Sequence, residues 1–426
     1  MRILARYAFS IGAAAALLTA CESQSPIGAP GTMPQPLALA ARTSGANYNV
    51  VYSFGVPPDG NNPGAGLIDV GGTLYGTTTA GGVYSCNRSS GNPCGTVFSI
   101  TTGGSEQVLH SFGDGSDGSL PTASLTNVAG TLYGTTSTGG LHHCPYSDYT
   151  TCGTVFTITT GGTENVLHSF DTYSHDGAEP EASLVDVKGT LYGTTAGGGA
   201  YHCGLVGMLC GTVFSITPGG TEKVLHSFGS RRDGAAPKAE LLDVHGTLYG
   251  TTFYGGKRQL GTVFRISLSG SERVLHRFGK GADGSNPAAG LIKVGGLLYG
   301  TTTRGGAYGH GTVFSITREG AEKVLHSFGH GSDGRDPLGS LVQVNGTLYG
   351  TTQVGGTGDK CNTQGDGCGT VFSITPEGTE QVLHNFGKGT DGFYPEAALT
   401  DVDGTLYGTT WGGGTHRLGT VFALKP

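Results

Sequence analysis

From Asn47 onward the chain reads as short runs in which apolar or aromatic residues alternate with small polar ones, each run closed by Gly, Asp or Pro. Between 289 and 328 this pattern predicts four strands, at Ala289 to Val294, Leu297 to Thr302, Gly311 to Thr317 and Lys323 to Phe328. A period of two sends Tyr299 and Thr301 to one face of the second run and Leu298, Gly300 and Thr302 to the other. Neither set is charged, so both faces must pack, which is the condition of a sheet held between two others. The glycine inside the run is expected to let a neighbouring sheet approach closely.

The same unit recurs along the chain. Leu-Tyr-Gly-Thr-Thr begins at Leu74, Leu132, Leu191, Leu248, Leu298, Leu348 and Leu406, and Gly-Thr-Val-Phe at Gly95, Gly153, Gly211, Gly261, Gly311, Gly369 and Gly419. Val-Leu-His followed by Ser, Arg or Asn and then Phe begins at Val108, Val166, Val224, Val274, Val324 and Val382; its seventh version, Val50 to Phe54, stands at the start of the repeat region. The last unit therefore lacks a closing strand, and the first region carries one too many. Pairing these leftovers closes a ring without exposed sheet edges, so an all-β, seven-bladed β-propeller with four strands per blade is predicted. A parallel β-helix has much shorter turns than these units of fifty residues or more and would not explain a unit split across the termini.

Composition agrees with this architecture. Of 426 residues 80 are glycine and 13% are charged, too few charges for a disordered chain and without the every-third glycine of collagen. A formal net charge of −7 argues against electrostatic capture of nucleic acid. Before the repeats, Arg2 and Arg6 precede an apolar run from Tyr7 to Leu18, and Leu18-Thr19-Ala20-Cys21 resembles the lipobox of bacterial lipoproteins. That resemblance implies a signal peptide over 1–20, lipidation of Cys21 as a membrane anchor, and Glu22, in place of aspartate, pointing to the outer membrane or cell surface. Residues 21–46 read as lipidated cysteine and flexible tether, and 47–426 as the propeller. No other apolar run approaches the length of a membrane span.

The repeated Leu-Tyr-Gly-Thr-Thr, Gly-Gly, Gly-Thr-Val-Phe and Val-Leu-His-Ser-Phe blocks resemble the GloVer tandem repeat of bacterial "choice-of-anchor" surface proteins. The resemblance covers 47–426 and implies architecture and surface location, with no catalytic motif to carry over. Kelch propellers are similar in period and serve only as a fold analogue. Apart from Cys21, the cysteines fall as Cys86/Cys94, Cys144/Cys152, Cys203/Cys210 and Cys361/Cys368, each pair between the Gly-Gly and the Gly-Thr-Val-Phe of one long unit. Local pairing predicts four disulfide-closed loops and an oxidising, exported setting. Six or seven intervening residues and no Cys-x-x-Cys argue against zinc.

In such a meander the cysteine loops and the Asp-Gly-x-x-Pro segments at Asp59, Asp117, Asp176, Asp233, Asp283, Asp333 and Asp391 share one face, opposite short uniform turns. Function is expected on this elaborated face. The aspartates are read as caps of backbone amides, the following glycines as positive-φ positions, and the prolines as stiffeners. Too few further carboxylates accompany them for calcium. The strand histidines His110, His168, His226, His276, His326 and His384 are read as packing residues, because Tyr52 replaces them in the seventh unit.

Residues that break the repeat are the better candidates: Phe253, Tyr254, Arg304, Gln353 and the single tryptophan, Trp411, after Thr-Thr, and the loop histidines His310 and His416, with His142, His143 and His202 beside them. Aromatic rims suit stacking against a sugar ring or a partner's apolar side chain. The reading is a binding scaffold for a glycan or protein ligand, with membrane contact through the lipid anchor alone and no cofactor, metal or catalytic residue assigned. The alternative is an extracellular carbohydrate-active hydrolase or lyase using the same face, for which Asp148, Asp359 and Asp366 are the acids outside the repeat. A third reading is a structural spacer.

Overall fold

The computed structural model describes residues 47–426 except 86–93, 145–150, 202–209, 231–232, 360 and 362–365. Gly45–Pro426 forms one unit, built on seven four-stranded antiparallel sheets. The first blade comprises Ile68–Val70, Thr73–Thr78, Thr96–Thr101 and Glu106–Ser111, in that order from the axis outward. The innermost strands of successive blades contact one another around the axis. Asn47–Ser53 supplies the outermost strand of the last blade, pairing from Asn47↔Lys425 to Ser53↔Thr420. The predicted ring closure is therefore present. The chain enters that strand at the turn end and leaves it at the loop end.

Adjacent blades are joined by a repeated set of contacts. The first threonine of each Leu-Tyr-Gly-Thr-Thr strand donates its hydroxyl to an inner carbonyl of the next blade, as Thr77 does to Ala123 and, across the closure, Thr409 to Ala65. The phenylalanine ending each outer strand meets the third-strand phenylalanine of the next blade edge-on, from Phe54–Phe98 at 5.1 Å to Phe386–Phe422 at 5.2 Å. These rings are fully buried and make the apolar seam.

Two local expectations need correction. In the fifth blade the strands are Ile292–Val294, Leu297–Thr302, Thr312–Ile316 and Glu322–Ser327, so the first is shorter than predicted and Ala289 and Gly290 line the axial channel instead. The strand glycine does not serve a neighbouring blade: a Cβ on Gly76 would sit 2.7 Å from Leu67 and Phe98, both of its own blade. Inter-blade approach falls to the turn glycine, since a Cβ on Gly162 would lie 2.7 Å from the Leu109 carbonyl. That carbonyl belongs to a bulge between Val97 and Phe98 in the ladder, and equivalent bulges occur in every blade.

Cys144 and Cys152 are disulfide-bonded with Cα atoms 5.2 Å apart, and Cys361 and Cys368 likewise at 5.5 Å. Cys94 and Cys210 are also disulfide-bonded. Their expected partners Cys86 and Cys203, like Cys21, His202 and Asp148, lie outside the described residues. The disulfides mark an exported protein. Among the described residues no helix is long and apolar enough to cross a membrane.

Candidate functional site at the channel mouth

The Asp-Gly-x-x-Pro segments lead into the axial channel. Asp117 accepts the Gly113 amide at 2.9 Å on one carboxylate oxygen and the His110 imidazole Nε2 at 2.9 Å on the other. The histidines are thus hydrogen-bonded anchors of the loop rather than packing residues alone, and Tyr52 does the same job by donating to Asp59 at 2.9 Å. The glycine adopts a positive φ between +20° and +160° in only three of the seven segments, at Gly118, Gly177 and Gly234. Its recurrent requirement is space, as a Cβ on Gly60 would lie 2.5 Å from the Thr78 hydroxyl. The left-handed position is instead the residue before proline: Asn62, Leu120, Glu179, Ala236, Asn286, Asp336 and Tyr394, at φ between 51° and 59°.

Each of those carbonyls accepts the amide of the residue after Thr-Thr, at 2.9 to 3.2 Å. This holds Phe253, Gln353 and Trp411 at equivalent places on the rim, in the fourth, sixth and seventh blades. Phe253 and Tyr254 stand edge-to-face at 4.7 Å, with the Lys238 ammonium 6.0 Å from the Phe253 ring. Gln353 donates to Glu396 at 2.7 Å. Trp411 is 42% exposed, and its carbonyl accepts from Asn62 of the first blade. Arg304 is exposed one position farther out. His310 takes the place that a cysteine or leucine fills in the other units, its carbonyl accepting the Asp336 amide and its Nδ1 lying 3.7 Å from Asp336 Oδ1. Burial raises the Asp336 carboxyl, against the lowering influence of His310 and Arg304. His416 is exposed in the loop beside Gly55. The structure therefore gathers Phe253 with Tyr254, and Arg304 with His310, but leaves Trp411 three blades away from Phe253.

Sequence reasoning missed the channel. Its lining comes from the Pro-x-Ala-x-Leu segments, most of whose variable positions are uncharged, and the exceptions are Glu181, Lys238, Glu240 and Glu396. Those departures from the repeat were the available signal. Lys238 and Glu181 pair at 2.9 Å. Burial works to lower the Lys238 pKa, but Glu181, Glu179 and Tyr254 together raise it above its ordinary value. Burial raises Glu240, with a Ser340 hydrogen bond opposing, and raises Glu396, with Gln353 opposing. Glu240 lines both the upper cavity of about 120 Å³ and a deeper one of about 380 Å³.

A second polar cluster belongs to the blade seams. The donor atoms of His168, Asp176 and Glu222 lie within 4.8 Å of one another, a set suited in type to a transition metal. His168 and Asp176 already satisfy each other at 2.9 Å, and Asp176 also accepts the Asp171 amide. The pair recurs in five further units as part of the loop's architecture.

All eight exposed large apolar side chains among the described residues lie on the loop face: Val56, Val83, Tyr84, Leu141, Tyr173, Tyr201, Tyr308 and Trp411.

The chain belongs to the Gloeobacter/Verrucomicrobia repeat family, which matches residues 32–207 and 208–422. No curated protein matches it. Among solved structures, the luciferin-regenerating enzyme is similar at 14% identity and a TM-score of 0.40, over 90% of this chain and 96% of that one. The gluconolactonase XC5397 from Xanthomonas campestris is similar at 14% identity and a TM-score of 0.38, over 64% and 78%. The tricorn protease is similar at 10% identity and a TM-score of 0.40, over 82% of this chain, which spans 27% of that protein.

Proposed function

We propose that the protein is a lipid-anchored envelope propeller that binds a glycan or protein ligand on its disulfide-braced loop face, at the channel mouth. The observation that carries this reading is the confinement of every exposed large apolar side chain among the described residues to that face. Exposed apolar surface gathered on one side of a rigid scaffold is the property of an interaction surface. At the mouth, Phe253 offers a ring face flanked by the Lys238–Glu181 pair, which suits a ligand with an apolar face and hydroxyl or amide edges. Anchoring through Cys21 is supported by its small-residue setting after the apolar run. On this reading the anchored protein stands at the outer membrane or cell surface.

The test is a glycan-array and polysaccharide-turnover screen of the oxidised chain, with Trp411 fluorescence as a binding readout. Saturable binding without product, weakened about tenfold or more by Phe253→Ala or Lys238→Ala, is expected. Product release would overturn the scaffold reading in favour of a hydrolase or lyase, with Glu181, Glu240 and Glu396 as the acids to substitute first.

A further inference from the structure

Beyond the channel mouth, the repeat encodes a second, outer ring of planar side chains. Two residues after each Gly-Gly stand Tyr84, His142, Tyr201, Arg258, Tyr308 and His416, with glycine only in the sixth unit. The identity varies while the flat, hydrogen-bonding shape persists. Two of the tyrosines share a backbone seat: a Cβ on Gly113 would lie 3.0 Å from the Tyr84 Cβ, and one on Gly229 would lie 3.0 Å from the Tyr201 Cβ. These glycines follow the outer strand at φ 106° and 102°, and a bulkier residue there would meet the Cys94 or Cys210 sulfur first, at 2.3 Å, and then the tyrosine's base. All three rings project from the rim. Tyr84, Tyr201 and Tyr308 are 39%, 45% and 50% exposed, in the first, third and fifth blades.

A polar group stands beside two of the platforms. Tyr84 donates to Asp114 at 3.4 Å, and Tyr308 lies 5.3 Å from the His330 ring. An exposed aromatic face with an adjacent hydrogen-bonding group matches a pyranose, whose axial C–H surface stacks while its edge hydroxyls seek polar partners. Three exposed tyrosine rings at one repeat position, in the first, third and fifth blades, match a ligand that itself repeats.

We propose that Tyr84, Tyr201 and Tyr308 are equivalent stacking platforms for the sugar rings of one polysaccharide, making the loop face multivalent. This inference rests on the loop-face binding reading and names its ligand class. Linked weak sites gain affinity through effective concentration without any new contact.

The test is affinity electrophoresis and calorimetry of the purified oxidised chain with soluble β-glucan, xyloglucan and galactomannan and their short oligosaccharides. At least one polymer should retard the protein. Simultaneous Tyr84→Ala, Tyr201→Ala and Tyr308→Ala should weaken that binding about 10²-fold at unchanged melting temperature, whereas the corresponding triple Tyr→Phe variant should retain it. Tyr201→Ala alone should lower the oligosaccharide stoichiometry from three to two per chain. Polymer affinity unchanged in the alanine triple variant, or no retardation by any of the polymers, would overturn the proposal. Loss of binding in Phe253→Ala with none in the triple variant would leave the channel-mouth reading standing and remove the platforms; the reverse pattern would remove the mouth.

Discussion

Tyr48 lies flat against His384, with ring centroids 3.7 Å apart and planes 6° from parallel. The contact spans the ring closure, joining the N-terminal strand to the sixth blade. At the other seams the residue equivalent to Tyr48 is a glutamate: Glu106, Glu164, Glu222, Glu272, Glu322 and Glu380. Each faces the loop aspartate of the preceding blade, as Glu222 faces Asp176 and His168. The N-terminal strand carries tyrosine at both the glutamate and the histidine positions, so on its side the closing seams present uncharged aromatic groups to Asp391 and Asp59.

The six glutamates predict acid-favoured stability. Burial, with an aspartate nearby, pushes each carboxyl from 4.5 up to about 7. A carboxyl raised in the folded state binds its proton more tightly there than in the unfolded chain, so stability must fall as pH rises from about 4.5 to about 7. His276 and His326, lowered by burial, act the opposite way as pH falls through 6.5, but they are two groups against six. Partial exposure moderates each contribution. Thermal melting between pH 4.5 and 8 should show a higher midpoint at the acidic end, with a flatter profile in Glu222→Gln; a midpoint rising through that window would refute the argument.

The histidine-to-aspartate link predicts which substitutions the loop tolerates. His168→Phe leaves one Asp176 oxygen without its donor and should cost about 1–3 kcal/mol. His168→Tyr should recover much of that loss, because the Tyr52 hydroxyl already serves Asp59 in the same position. Chemical denaturation of the two variants checks the order; equal destabilisation would reduce the histidine to a packing residue.

Leu297–Thr302 was legible to the residue because alternation and turn residues are local signals. The closing pair was legible too, since a missing strand and a surplus strand are visible in the order of the repeats. What escaped were relations between elements distant in sequence. Nothing local reveals that His110 reaches Asp117 across a loop, or that the crowding at Gly76 comes from Phe98 of the same blade. Glu181, Lys238, Glu240 and Glu396 were visible as departures from the repeat, but their convergence depends on seven inner segments meeting at one axis.

Gly76→Ala tests the crowding directly. The added methyl would lie 2.7 Å from Leu67 and Phe98 in a strand with no exposed position to yield into. Overpacking of this kind costs about 1–3 kcal/mol. The melting temperature should drop, and pairing the change with Phe98→Leu should recover part of the loss. Full tolerance of Gly76→Ala alone would mean that the blade has slack at its centre.

The disulfides predict a separation between loop order and fold stability. Cys144–Cys152 closes a loop at the rim, outside the sheet ladders, while the Cys152 carbonyl holds the Glu179 amide of the next blade. Chain-entropy reasoning assigns a loop of this size about 2–3 kcal/mol. Cys144→Ser with Cys152→Ser should therefore lower stability by no more than about that amount. The seven sheets themselves should persist, because the phenylalanine and threonine seams contain no cysteine. Hydrogen exchange should speed up at Glu179 and its neighbours and stay slow in Thr154–Thr159. Exchange that rose equally in the strand would show that the disulfide supports the whole blade.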